Sequence, residues 1–256
     1  MTPTDASPPG LPESAQRPVL FTDLDDTLFQ TARKMTEPVC ASRLAAEATN
    51  GHHSYMTVSQ AAMTAWLLKA TCLVPVTARS TEALSRCRIP FDSWKIASNG
   101  AVILSPDGKI ERDWSHHISR LSGEAEAGLE ALNAETAKHN AVERFRHWIV
   151  REEGRPIYFC VKSNGEEAWL DDLEGFLRTL AGEQFVYHRN GNNLSFTPQG
   201  ISKRAAVAHL IDIRSEIRHG IILAMGDSLT DLPFMQLANM MMIPPASQVA
   251  SAIGKE

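Results

Sequence analysis

An apolar run that ends in acid is the feature the rest of this chain has to accommodate: Val19-Leu20-Phe21-Thr22 leads directly into Asp23-Leu24-Asp25-Asp26-Thr27-Leu28. An unbroken run rich in β-branched and aromatic residues predicts a buried strand, and carboxylates at its carboxyl end belong in the crevice where open α/β sheets receive ligands. Asp23 and Asp25 are two residues apart, so both can face one small volume while Leu24 turns to the core. Carboxylates so crowded resist ionising together, and a divalent cation, a shared proton, or both relieve them. A solvated acidic loop is the competing reading. Against it stands a second acidic loop, Gly226-Asp227-Ser228-Leu229-Thr230-Asp231, which also follows an apolar run. Two such loops are what a metal-assisted phosphate site requires.

Composition narrows the partners. A chain of 256 residues can bury one core plus a smaller companion. Its net charge of -5, with no stripe of Lys and Arg, argues against a nucleic-acid-binding face. Cys40, Cys72, Cys87 and Cys160 are scattered, with no C-x-x-C pair, which disfavours zinc or a disulfide framework and fits reduced thiols in a cytoplasmic setting. Residues 1–17 read as a disordered tail without the basic start and apolar middle of a secretory signal, and no run reaches the ~18 apolar residues of a membrane span.

Residues 29–50 are compatible with one helix that Pro38 interrupts, and no function is assigned to the stretch 30–55. His52 and His53 are neighbours that point apart on any regular element, so they read as an exposed loop. A Thr57 cap and an amphipathic run through Ala61, Trp66 and Leu67 predict a helix to about Thr71, followed by a buried strand over 72–76. Thr77 closes that strand where Ser80-Thr81-Glu82 opens a helix, so its hydroxyl could hold a phosphoryl oxygen, cap the helix, or simply be buried. Arg79 could reach an anion or lie at the surface. A strand over 95–98, an Asn99-Gly100 turn and a hairpin joining 101–104 to 109–111 follow.

From 112 to 196 the pattern changes to helix (121–139), strands (144–150 and 157–162), helix (166–181) and strands (184–188 and 193–197), the last two joined by Arg189-Asn190-Gly191-Asn192. That order predicts an antiparallel sheet backed by two helices, a smaller second domain. Lys203 opens a helix to about Ile211, and an ammonium beside an acidic cluster can balance carboxylates and neutralise a phosphoryl oxygen.

Asp23-Leu24-Asp25-Asp26-Thr27 resembles the first motif (D-x-D-x-T) of the haloacid dehalogenase superfamily. Val74-Pro75-Val76-Thr77-Ala78-Arg79 resembles the second, Lys203 in Ile201-Ser202-Lys203-Arg204 the third, and Gly226 to Asp231 the fourth. The four stand in order over residues 19–243. The resemblance is closest to members with a large cap between the second and third motifs, the group of sucrose-phosphate phosphatases and Cof-type sugar phosphatases. It implies an α/β fold: a doubly wound, Rossmann-like parallel-sheet core at 18–111 and 197–256, with an inserted α+β cap of the C2 type at 112–196.

The same resemblance implies a Mg²⁺-dependent phosphatase that hydrolyses a small phosphorylated metabolite, a sugar phosphate, through an aspartyl-phosphate intermediate. Asp23 would be the nucleophile and Asp25, held partly protonated by its acidic neighbours, the general acid and base. Mg²⁺ would be bound by the carboxylates of Asp23 and Asp227 and the main-chain carbonyl of Asp25. Thr77 and Lys203 would hold phosphoryl oxygens, Asp231 would orient metal-bound water or Lys203, and Asn99 would touch substrate or serve only the turn. Asp at position 25 favours a phosphatase or phosphomutase over the P-type ATPases, which carry Thr there. A phosphomutase-like phosphotransferase and a non-catalytic phospholigand-binding regulator remain as alternatives. Thr230 departs from the Asn usual in Cof-type members. On the cap, Arg144, Arg146, His147, Lys162, His188, Arg189 and Asn192 are either selectors of the leaving group or a solvated face, with Arg144 and Arg146 opposite Phe145 and His147.

Overall fold

In a computed structural model, which describes residues 17–140 and 142–254, the run before Asp23 is strand β1 (Val19–Thr22), buried at every position. The tail expected at 1–17 lies outside the described residues except for Arg17. The segment after Leu28 departs from the expected helix. It forms three short strands, β2 (Gln30–Thr31), β3 (Leu44–Ala46) and β4 (Ser54–Tyr55), paired antiparallel in the order β2-β4-β3. Strands of two or three residues do not complete a legible alternation, and the Ala-rich composition by itself favours helix. His52 is exposed in the loop before β4, while the His53 ring accepts the Ala48 amide.

Helix α1 (Val58–Ala70) begins at Thr57, whose hydroxyl accepts the Gln60 amide while the Gln60 side chain accepts the Thr57 amide. Leu67 is buried, but Trp66 is 61% exposed and lies off the packed face. There follow β5 (Cys72–Pro75), α2 (Thr81–Ser85), β6 (Lys95–Ala97) and β7 (Val102–Leu104). Because β7 pairs with β6, the hairpin expected between 101–104 and 109–111 is reduced to a single bridge, Leu104 to Ile110.

Helix α3 (Arg112–His139) is capped by Glu111, whose carboxylate accepts the Asp113 and Trp114 amides, and so starts earlier than the hydrophobic spacing alone indicates. It leads into β8 (Phe145–Glu152), β9 (Arg155–Ser163), α4 (Trp169–Ala181), β10 (Phe185–Asn190) and β11 (Asn193–Pro198). The chain then returns through α5 (Lys203–Ile213), α6 (Ser215–Arg218), β12 (Ile222–Met225), α7 (Leu232–Met235), β13 (Met240–Met242) and α8 (Gln248–Ile253).

The core sheet is parallel throughout, in the order β13-β12-β1-β5, so the two acidic loops leave adjacent strands at the same end. The cap is an antiparallel sheet, β10-β11-β9-β8, with α3 and α4 on one face. Leu129, Leu132, Phe159, Leu173, Leu177 and Phe196 fill the space between, each fully or nearly fully buried. Burial of that extent contributes ~1.5–3 kcal/mol per side chain. The other sheet face turns toward the core domain, and one buried carboxylate joins the two. Glu152, at the end of β8, accepts the Thr81 amide at 2.9 Å, the Thr81 hydroxyl at 2.6 Å and the Ser98 hydroxyl.

Candidate active site

Beyond β1 the chain folds back on itself at once: the amides of Thr27, Leu28 and Phe29 all return to the Leu24 carbonyl, and that of Asp26 goes to Phe29. Leu24 is thereby sunk in the core at 0% exposure, while Asp23 is held at the crevice floor at 6%. The Asp25 carbonyl takes no part in these turn bonds.

Lys203 arrives from the opposite side as the first residue of α5, whose N-cap is Ser202. Its Nζ donates to Asp23 Oδ1 and Asp231 Oδ1, each at 2.6 Å. Two glycines permit this. A Cβ on Gly100, which has φ +94, would stand 2.2 Å from the Ser202 carbonyl oxygen, so the turn after β6 can pack directly beneath the start of α5. A Cβ on Gly226 would stand 2.6 Å from that of Asp231. Asp231 is completely buried, and its second oxygen accepts the Ser228 amide at 3.0 Å and hydroxyl at 2.8 Å. The Thr27 hydroxyl stands between the two loops, 3.1 Å from Asp227 Oδ1 and 3.4 Å from Asp23 Oδ2.

Burial dominates the electrostatics. It pushes Asp23 well above the usual carboxylate range; Lys203 opposes the shift, and Asp231 and Asp25 add to it. Burial likewise pushes Asp227 up to about 6, assisted by Asp231. Burial alone would lower Lys203, but Asp23 and Asp231 outweigh it and hold the ammonium above its ordinary value. The site therefore carries a fixed cation and an excess of carboxylate that desolvation leaves uncompensated.

Those carboxylates fit a hard divalent cation. Oxygens of Asp23, Asp227 and Asp231 lie within 4.8 Å of one another. Both oxygens of Asp231 are engaged by Lys203 and Ser228, so Asp23 and Asp227 are the carboxylates with capacity left, beside the unengaged Asp25 carbonyl.

The Asp25 side chain is placed differently from expectation. Arg79 grips it at both oxygens, through Nε and Nη2, each at 2.7 Å. The guanidinium lies over the Phe29 ring at 5.0 Å and reaches Ser54 Oγ at 3.3 Å. The group touching Asp25 is thus a cation, not an acid. The partner of Arg79 is not legible in the sequence, because Phe29 lies in the turn after the first motif and Ser54 in β4, a strand too short to show a pattern. Thr77 is buried at the end of the second-motif strand, where its hydroxyl accepts the Arg79 amide at 3.1 Å, leaving its own O–H to donate.

Between cap and core lies a pocket of about 250 Å³ whose wall includes Asn99, His188, Ser195, Thr197, Lys203 and Thr230. Asn99, in a left-handed conformation with φ 56, stands in this wall and forms the turn as well. Of the cap candidates only His188 reaches the pocket. Arg189 binds Asp171 and Glu174 on the helix side, His147 bonds Asn133 of α3, Arg144 lies over Trp169 at 5.7 Å, and Asn192 bonds the Ser163 carbonyl. Burial lowers His188 below the usual imidazole range.

Residues 130–243 match the model of the haloacid dehalogenase-like hydrolases, a stretch that includes Lys203, Asp227 and Asp231 but not Asp23. No curated protein matches the chain by sequence. Among solved structures, the sucrose-phosphatase of Synechocystis sp. PCC6803, in complex with sucrose and phosphate, superposes with TM-score 0.58 at 15% identity, over 93% of this chain and 87% of that one. A Thermoplasma acidophilum protein superposes with TM-score 0.57 at 15% identity, over 93% of this chain and 89% of its own. The C-terminal domain of a C. albicans trehalose-6-phosphate phosphatase gives 0.56 at 13% identity, over 87% and 74%.

Proposed function

We propose that the chain, whose residues 130–243 match the haloacid dehalogenase-like hydrolases, is a Mg²⁺-dependent phosphatase of that superfamily acting on a small phosphate monoester, a sugar phosphate by preference. The observation that carries this reading is the Asp23–Lys203–Asp231 junction: a buried nucleophile-capable carboxylate held by a cation that is itself fixed from a second loop. The solved phosphatases of sucrose phosphate and trehalose-6-phosphate that share the fold support the sugar-phosphate class.

Asp23 attacks phosphorus in line; the bond from phosphorus to the alcohol oxygen breaks as that from phosphorus to the Asp23 carboxylate forms. Asp25, protonated from solvent once it has left Arg79, gives that proton to the departing alkoxide and takes one from the water that then displaces the Asp23 carboxylate from phosphorus, restoring both residues. To reach the leaving oxygen, Asp25 must exchange its bond to Arg79 for one to substrate. Lys203 and the Thr77 hydroxyl hold phosphoryl oxygens, and Lys203 also keeps the Asp23 carboxylate aimed. Asp231 positions Lys203. The Asp23 and Asp227 carboxylates and the Asp25 carbonyl would hold Mg²⁺, which when bound neutralises phosphoryl charge. The pocket that contains His188 and Asn99 takes the leaving group.

Phosphate release from a panel of sugar phosphates, other phosphometabolites and an aryl phosphate, with Mg²⁺ or chelator, tests the reading. Release that needs the metal and vanishes in Asp23→Asn is the expected outcome. A folded protein that binds Mg²⁺ but releases no phosphate from any compound would move the assignment to phosphoryl transfer or to ligand binding.

A further inference from the structure

The two faces of the cap sheet differ in how their charges are matched. On the helix side and at the strand ends, Arg151 pairs with Glu130 and Arg189 with Asp171 and Glu174, while Arg144 lies over the Trp169 ring. On the face turned to the crevice, Arg146 and Lys162 stand side by side in register across β8 and β9, and no carboxylate pairs with either among the described residues. Arg146 Nε donates only to the neutral Asn164 side chain, at 2.9 Å.

The register sets these cations at a definite place relative to the reacting group. Two residues nearer the core, on the same face, runs the row Trp148, Cys160, Ser195, His188, one residue from each strand in turn. His188 and Ser195, at one end of that row, share the pocket wall with Lys203. Trp148, at the other end, on the edge strand β8, is 42% exposed. Strands ~4.8 Å apart with ~3.4 Å per residue put Lys162 roughly 12 Å from His188 along the diagonal. No Asp or Glu shares the rows of Arg146 or Trp148.

We propose that this face is a subsite for a second negative charge: the preferred ester carries, at the far end of its leaving group, a carboxylate or a second phosphate, which Arg146 and Lys162 bind while Trp148 covers the linking carbons. The inference rests on the phosphatase reading and narrows its substrate class. Two cations left without carboxylates beside a partly exposed aromatic ring call for an anion on an apolar stem. A neutral sugar phosphate would leave them facing water.

The test is steady-state phosphate release, at fixed ionic strength, from an n-alkyl phosphate and from its counterparts ending in a carboxylate or a phosphate. A charge-assisted hydrogen bond is worth ~1.5–3 kcal/mol, so kcat/KM for an acid-ended ester should exceed that for the plain one by roughly tenfold or more, mostly through KM. The larger of the two preferences identifies the anion. In Arg146→Gln/Lys162→Gln the ratio of acid-ended to plain ester should fall toward one, and in Arg146→Lys/Lys162→Arg, which keeps both charges, most of it should return. A native ratio near one, or a ratio unchanged in the Gln variant, would overturn the subsite while leaving the phosphatase reading intact. Failure to hydrolyse any of the esters, aryl phosphate included, would instead remove the parent reading and the subsite with it.

Discussion

Lys203 stands among carboxylates with a side chain only 10% exposed, and among the described residues neither Asp23 nor Asp231 has another cation in contact. Removing it leaves two buried carboxylates without their counter-charge, which costs ~3–5 kcal/mol where such pairs are broken. Lys203→Met should therefore lower stability by that order in chemical denaturation and cut kcat by roughly 10²–10³-fold, the effect of deleting a donor aimed at developing charge. The thiols give a second prediction at this scale. Burial pushes Cys87 and Cys160 up to about 11, whereas the contact with the Ser42 hydroxyl lowers the half-buried Cys40. The thiolate is the reactive form, and a thiol at about 11 is ionised to roughly one part in a thousand at pH 8. Peptide mapping after brief alkylation of the native protein should find Cys40 modified well ahead of Cys160; equal rates would contradict the burial argument. Raising the pH through about 11 should close the gap, because the suppressed thiols then ionise.

The elements that were legible in the sequence are those with a full period to read. The Thr57 cap marks the start of α1, and the spacing of Leu170, Leu173 and Leu177 marks α4, because it places apolar residues on one packed face. The strands after Leu28 were not legible, since two residues cannot show alternation, and with them went the Phe29 and Ser54 contacts that fix Arg79 on Asp25. The four acidic and basic residues that converge were legible as motifs, whereas the Thr27 bridge and the Glu152 junction depend on distances that no spacing encodes. Glu152 carries the prediction at this scale. Glu152→Ala leaves the Thr81 amide and the Ser98 hydroxyl without their acceptor, at ~1–3 kcal/mol for each such buried group. Hydrogen exchange at the Thr81 amide should accelerate markedly while exchange within β1 and β12 stays slow. Equal acceleration in all three would mean the substitution loosens the whole fold, not the joint between cap and core.

At the scale of the molecule, the acidic crevice should make stability depend on metal. A ligand that binds only the folded state adds ~2.7 kcal/mol at a hundred times its Kd. Mg²⁺ should thus raise the melting temperature of the native chain, and Asp227→Asn should abolish most of the increase; an unchanged melting temperature in saturating Mg²⁺ would argue against the donor set of Asp23 and Asp227. The same architecture has a consequence in time. Asp23 meets the Nζ of Lys203 across 180 residues of chain, and β1 has β12 as one of its two neighbours. A ribosome adding ~5–20 residues per second needs roughly 10–40 s to bring Lys203 into existence after Asp23. For that interval the fully buried strand β1 has only β5 to pair with and the carboxylate that follows it has no ammonium, so β1 is the segment a chaperone would be needed to shelter until α5 and β12 have been made.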